Sequence, residues 1–341
     1  WAESIVALGE RLACPILAEP LSGLRFGAHR KNGLCVRYDH WLRTEAWQAP
    51  ERQPAWVLRF GAFPVTRVLQ QYLAGAQHHF LVEAQPQWRD PLHRTDLLLQ
   101  ADPLAACRAL LDALRTPASH QAWAVPFRVG EETVASTLVG AELPTEARLV
   151  ERLCASLPEA THFFCGNSMP IRDLDAFSGN GSLALAFFAN RGASGIDGNL
   201  ATAAGLAASK PTLALVGDLT AQHDVGSLAL MRDRPLVVVV INNGGGGIFD
   251  FLPQAALPEF ERGWLTPQQF DLAAAAKAFA VPYMRLTETE AVAAAALDAL
   301  AARRPLLIEV PVDRQQGLDQ RRRWKESVAR ALSKAASACN P

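Results

Sequence analysis

The sequence predicts an α/β protein built of two doubly wound parallel-sheet domains, and three observations predict it. Unbroken apolar runs of strand length recur along the chain, the segments between them carry helical periodicity, and polar, glycine-rich clusters follow several of the runs. Runs such as 211–217 and 235–241 have no polar face, which marks strands buried on both sides and therefore parallel. Parallel neighbours need crossover connections, and the helical segments supply them. A length of 341 residues suggests roughly two domains, and a composition that is 50% hydrophobic is ample for a core in each.

The first domain is expected over 1–115. It opens on a helical pattern (Ile5, Leu8, Leu12), followed by strands at 14–18, 56–60, 79–83 and 96–100, with helices at 65–73 and 103–114 among them. Periodicity fades over 116–143, where Pro117, Pro126, Gly130 and Gly140 fall, so a linker is expected there. The second domain is expected over 144–341. Thr145 reads as the N-cap of a helix running through Leu157, and a strand follows at 162–165. After a loop around Asn190 come the strand 211–217, a helix over 220–232 and the strand 235–241. Asp224 stands early in that helix and Arg232 and Arg234 late, the charge order a helix dipole favours. Alanine-rich helices at 270–280 and 288–302 and a strand at 305–310 complete the domain.

Composition excludes several functions. Net charge is −1 with both signs mixed throughout, so the chain lacks the basic field that nucleic-acid binding requires. The cluster Arg321, Arg322, Arg323 reads as a solvated tail. No run of 18 apolar residues exists to span a membrane. Six cysteines (Cys14, Cys35, Cys107, Cys154, Cys165, Cys339) show no CxxC spacing and mostly sit in apolar stretches, as buried thiols of a reduced, cytoplasmic compartment do. With no signal peptide visible and a helix beginning at Trp1, the chain is expected to be part of something longer.

The most informative feature is Gly217-Asp218-Leu219, followed 25 positions after the aspartate by Asn243, within 241–247, where two asparagines precede four glycines. Both residues fall at the carboxyl ends of neighbouring strands, where open α/β sheets bind ligands. Magnesium takes hard oxygen donors with only one or two protein carboxylates, the rest coming from phosphate and water. Asp218 can give a carboxylate oxygen, Asn243 an amide oxygen and Gly245 a main-chain carbonyl. The helix starting near Thr220 points N–H groups at the same place, which favours an anion. Together these outline a metal–diphosphate site; the plainer alternative is a helix cap at Asp218 and a tight turn at the glycines. Ser168 follows a strand and either donates to phosphate or caps a helix. Arg172 and Arg191 are either partners of substrate carboxylates or surface salt bridges.

Asp218 and Asn243 at this spacing resemble the thiamine-diphosphate (ThDP) enzyme family, whose pattern is Gly-Asp-Gly and, about 25 residues later, Asn-Asn. Leucine replaces the third residue here. Residues 190–198, Asn-Arg-Gly-Ala-Ser-Gly-Ile-Asp-Gly, with Gly166-Asn167-Ser168, Gly247-Ile248-Phe249 and 64–67 (Pro-Val-Thr-Arg), are similar to one branch of that family, the synthases of menaquinone biosynthesis that use 2-oxoglutarate and isochorismate. The resemblance implies a ThDP-fold middle domain plus a diphosphate-binding domain, with ThDP and Mg²⁺ (or Mn²⁺) as cofactors. It implies metal ligands Asp218, Asn243 and Gly245, and a cofactor site that includes Ser168, Arg191, Gly192, Ile196, Gly217, Leu219, Thr220 and Ile248. Ile196 would wedge the cofactor into its bent form, unless it is ordinary core. Arg172 and Arg191 would contact substrate carboxylates, Arg67 would reach the site or a regulatory pocket, and Ile248, Phe249 and Leu252 would wall the thiazolium, unless they merely pack. A third, N-terminal domain would supply the aminopyrimidine pocket, within a homodimer or homotetramer, leaving this chain alone catalytically silent. Two alternatives stay open: an acetolactate-synthase-like ThDP decarboxylase or ligase, and a non-catalytic nucleotide-binding module.

Overall fold

The computed structural model describes residues 1–115 and 121–338 and divides into two compact units, 1–141 with 323–341 and 142–322. In the first, helix α1 (Ala2–Leu12) leads to a two-stranded parallel sheet of β1 (Ile16–Leu17) and β2 (Leu34–Cys35), then to short helices α2 (Tyr38–Trp41) and α3 (Glu45–Gln48). A three-stranded parallel sheet follows, β3 (Trp56–Phe60), β4 (His78–Glu83) and β5 (Leu97–Gln100), with α4 (Arg67–Ala74) between the first two strands and α5 (Pro103–Ala113) after the last. Ile5, Val6, Leu8, Leu34, Val36 and Cys107 form one core, and Leu58 and Phe60 of β3 pack on it.

Residues expected to form a linker are largely helical: α6 spans Gln121–Leu138 with Pro126 inside it. Tertiary packing overrides the breakers. Phe127 and Val134 are buried, Glu131 accepts the Val36 and Arg37 N–H groups and pairs with the Arg37 guanidinium at 2.9 Å, and Gly130 stands where the Trp41 and Trp47 rings come within 3.3 Å of any added Cβ. Pro117 and Cys339 lie outside the described residues. The other five cysteines are free thiols, four of them buried.

The second unit contains α7 (Thr145–Ser156), β6 (His162–Cys165), α8 (Met169–Phe177), β7 (Ala186–Phe188), α9 (Asn199–Leu206), β8 (Thr212–Gly217), α10 (Asp218–His223) and β9 (Leu236–Asn242). After two short 3₁₀ turns and a π turn come α11 (Leu272–Ala278), β10 (Tyr283–Arg285), α12 (Thr289–Ala301), β11 (Leu306–Pro311) and the start of α13 (Arg314–Ala338), whose residues from 323 on belong to the first unit. The sheet is parallel throughout, in the order β10-β11-β9-β8-β6-β7. Its central strands are the apolar runs of the sequence; Leu213 to Val216 and Leu236 to Val240 are fully buried.

Three local expectations are corrected. Thr145 is the first helical residue, and the N-cap is Pro144, whose carbonyl accepts from Arg148 N–H. The helix expected over 220–232 ends at His223, and a 3₁₀ turn runs from Val225 to Leu230. Asp224 interrupts it: its carboxylate accepts the Leu200 and Ala201 N–H groups at the start of α9 at 2.6 and 3.3 Å and the Ser227 hydroxyl at 2.8 Å. The arginine cluster at 321–323 lies within α13, and Arg321 is no solvated residue; it holds Asp173 through both nitrogens, at 2.6 and 2.9 Å.

Candidate functional site at the strand ends of the second unit

The strands β8, β9 and β6 end on the same edge of the sheet, because all are parallel, and each hands over to a polar turn. Asp218 is the first residue of α10, immediately after β8. Its Oδ1 accepts Leu219 N–H at 2.8 Å, and its Oδ2 accepts Gly245 N–H at 2.8 Å from the turn after β9. The second bond spans 27 residues and brings the two motif halves to one place. Burial raises the Asp218 pKa above its ordinary 3.8, and N–H groups of Leu219, Gly245 and Gly244 offset this only in part. An ionised carboxylate retains acceptor sites beyond two hydrogen bonds, so Asp218 fits a cation that would complete its compensation.

The glycines have steric reasons. Gly245 has φ of 140°, and a Cβ there would lie 2.3 Å from the Leu265 carbonyl oxygen; at Gly246 it would meet the Trp264 oxygen at 2.7 Å. Gly246 N–H donates to Leu265 at 2.7 Å, so the turn is pinned by backbone that only glycine can approach. Asn243 is half-buried, with its amide nitrogen 2.6 Å from where a Gly247 Cβ would stand. No cluster of three or more His, Cys, Asp or Glu side chains suited to a metal occurs among the described residues; the donors expected here are one carboxylate, one amide and one carbonyl, a hard-oxygen set of the kind magnesium takes. Beside Asp218 a small cleft is lined by Leu219, Gln222, Asn242, Gln268 and Phe270. Asn242, the asparagine that sequence reasoning passed over, lines it, whereas Thr220 is 2% exposed and buried within α10.

The second constellation gathers around Asn167, at the end of β6 and 2% exposed. Its amide nitrogen donates to the carbonyls of Asn190 at 3.0 Å and Gly195 at 2.8 Å, and its Oδ1 accepts from Arg191 Nη1 at 2.6 Å. From the other side, Asn199 donates to Gly195 and Asp197 carbonyls at 3.1 and 3.2 Å. Its own Oδ1 has no hydrogen-bond partner among the described residues although the residue is fully buried. Ser168 adopts φ of 72° and ψ of −130°, a region costly for a side-chain-bearing residue. It occupies the N-cap position of α8 without a capping hydrogen bond from its side chain, and its carbonyl accepts from Arg172 Nη1 at 2.7 Å. Arg172 and Arg191 are thus both tied to the Asn167-Ser168 turn. Ile196 is half-buried and Gly192 exposed, both on the loop that Asn167 and Asn199 secure.

The apolar candidates lie on the 3₁₀ turn Gly247–Phe251 and just after it. Ile248 and Phe249 are half-buried, with the Phe249 ring against Gly246, and Leu252 is 38% exposed. Asp250 within that turn pairs with Arg314 of α13. Arg67 opens α4 of the first unit. His223 is exposed on α10. Sequence reasoning missed Asn167, Asn199 and Asp224 as organisers; the available signal was a short polar residue beside a strand end or glycine loop, too common to single out.

Residues 182–310 match the thiamine pyrophosphate enzyme C-terminal TPP binding domain, and residues 2–165 match the middle domain of thiamine pyrophosphate enzymes. The chain belongs to the thiamine pyrophosphate enzyme family, as its middle and C-terminal domains. It is similar to proteins named 2-succinyl-5-enolpyruvyl-6-hydroxy-3-cyclohexene-1-carboxylate synthase. That of Dechloromonas aromatica is 46% identical over 311 residues, covering 90% of this chain and 56% of the relative. Those of Natronomonas pharaonis and Chloroflexus aurantiacus are 35% and 37% identical, covering 98% and 97% of this chain and 56% and 58% of theirs. The chain therefore spans a little over half the length of these relatives.

Proposed function

We propose that this chain forms the middle and diphosphate-binding part of a 2-succinyl-5-enolpyruvyl-6-hydroxy-3-cyclohexene-1-carboxylate synthase, a transferase acting on 2-oxoglutarate and isochorismate in menaquinone biosynthesis. The observation that carries the reading is the Gly245 N–H to Asp218 bond, which joins the two halves of the motif around a carboxylate whose charge is under-compensated. When bound, ThDP supplies the electron sink for decarboxylating a 2-oxo acid. Asp218, Asn243 and the Gly245 carbonyl would hold the divalent cation, Mg²⁺ or Mn²⁺, that the diphosphate requires. Gly217, Leu219 and Thr220 shape the start of α10 beside it, and Ser168, Gly192 and Ile196 line the cofactor. Arg172 and Arg191 bind carboxylates of the substrates, held on station by the Ser168 carbonyl and Asn167. Ile248, Phe249 and Leu252 exclude water from the reacting centre.

The complete enzyme is expected to be a cytoplasmic homodimer or homotetramer; among the described residues no helix is long and apolar enough to cross a membrane. An N-terminal domain supplies the aminopyrimidine pocket, so this chain alone is expected to be silent. The test is an assay of the complete enzyme with 2-oxoglutarate and isochorismate. Arg172→Ala and Arg191→Ala should each weaken turnover by the loss of a charge-assisted bond, about 1.5–3 kcal/mol. A complete enzyme that prefers pyruvate would overturn the substrate assignment, and turnover by the 341-residue chain alone would overturn the half-site reading.

A further inference from the structure

Glu309 stands in the middle of β11, in an otherwise apolar run, and is 7% exposed. A carboxylate so placed is costly unless its oxygens are met. Its Oε1 accepts from Asn242 Nδ2 at 2.7 Å, its Oε2 accepts from the Tyr283 hydroxyl, and the Arg285 guanidinium lies 3.9 Å away. The parallel register sets Glu309 beside Val240 and Pro311 beside Asn242, so residues 309 and 242 share one face of the sheet. Nothing in the proposed chemistry uses Glu309.

Its consequence lies one residue further along. A carboxylate can only accept, so Asn242 must turn its amide nitrogen toward Glu309 and its oxygen the other way. That oxygen accepts Gly244 N–H at 3.2 Å, and the next N–H along, that of Gly245, donates to Asp218 Oδ2 at 2.8 Å. A continuous path of contacts therefore runs from Tyr283 and Glu309 through Asn242 and the glycine turn to the carboxylate expected to bind metal. With an apolar residue at 309, Asn242 would be free to flip, setting its NH₂ group against Gly244 N–H.

The geometry points to Glu309 as a positioning residue for the metal–diphosphate site: by fixing which way the Asn242 amide faces, it sets the Gly244–Gly247 turn against Asp218. The inference rests on the metal–diphosphate reading of that site and extends it to a residue two strands away from Asp218.

The test titrates the complete enzyme with Mn²⁺, detected by electron paramagnetic resonance, with and without ThDP. Glu309→Met should weaken ThDP-dependent Mn²⁺ binding about 10–100-fold, the range typical when an outer-shell partner is lost. Glu309→Gln can still accept from Asn242 while donating to Tyr283, and should stay near wild type. Thermal unfolding without metal is followed in parallel. A lowered midpoint for Glu309→Met with unchanged Mn²⁺ affinity would show a merely structural role and overturn the inference. Equal damage from Glu309→Gln would overturn the orientation argument. Should Glu309→Met not fold, the double change Glu309→Met with Tyr283→Phe removes the donor it orphans and is judged by the same affinity. If the wild-type complete enzyme shows no ThDP-dependent Mn²⁺ binding, the underlying reading of the site fails instead, and the inference with it.

Discussion

Asp90 in the first unit and Asp218 in the second are built alike and end in opposite electrostatic states. Each is an aspartate at a turn whose oxygens accept backbone N–H groups: Leu92, Arg94 and Thr95 for Asp90, Leu219 and Gly245 for Asp218. Burial pushes both pKa values up. At Asp90 the hydrogen bonds, including one from the Thr95 side chain, outweigh it and leave the group below its ordinary 3.8, whereas at Asp218 they do not and the group stays above. A carboxylate fully compensated by its own chain is a structural staple. One left under-compensated at the carboxyl end of a parallel sheet is where an external cation contributes most. With Asp218 as the proposed cation ligand, the pair separates two uses of one local motif, which residue type alone does not.

Asp173 is compensated by a guanidinium instead, so Arg321→Ala would leave a buried charge that no external cation reaches; the cost should be about 3–5 kcal/mol by urea denaturation. Asp218→Ala should weaken ThDP-dependent Mn²⁺ binding by more than about 100-fold, beyond the range for outer-shell partners; unaltered binding would remove the carboxylate from the site. Asp90→Ala should leave that affinity untouched and cost about 1–3 kcal/mol of stability.

The two aspartates should also differ in sign with pH. The depressed value of Asp90 contributes stability that is full above its unfolded value and is lost as pH falls through its folded one. The raised value of Asp218 contributes stability present below its unfolded value and lost as pH rises through its folded one. In metal-free chain, the cost of Asp90→Ala should therefore shrink on acidification while that of Asp218→Ala grows, as urea denaturation across the acid range would show. Because protonated Asp218 cannot ligate, metal affinity should begin to fall at a pH above that for an ordinary aspartate. The smallest effect belongs to Arg322→Ala, an exposed residue beside Asp319, which should change stability by less than about 0.5 kcal/mol.

Much of the fold was legible because the buried strands announce themselves. The expected strands at 56–60 and 162–165 coincide with β3 and β6, and those at 211–217 and 235–241 differ from β8 and β9 by single residues. Capping and interruption were less legible. Asp224 was read as an ordinary first-turn acid, yet it spends its carboxylate on α9, more than 20 positions earlier in the chain. Pro126 and Gly130 were read as breakers, yet α6 passes through both, because ring packing at Gly130 and the Glu131 hydrogen bonds outweigh propensity.

The amino-acid order by itself determined the parallel α/β class and the placing of Asp218 and Asn243 at strand ends, since apolar runs and glycine spacing are local and survive reading one residue at a time. Only the tertiary structure decided that Gly245 donates to Asp218, that Asn167 secures the 190–198 loop, and that Asn242 donates to Glu309. Those bonds join residues 27, 28 and 67 positions apart. Hydrogen bonding at that separation depends on how strands and turns meet in space, and no local pattern encodes it.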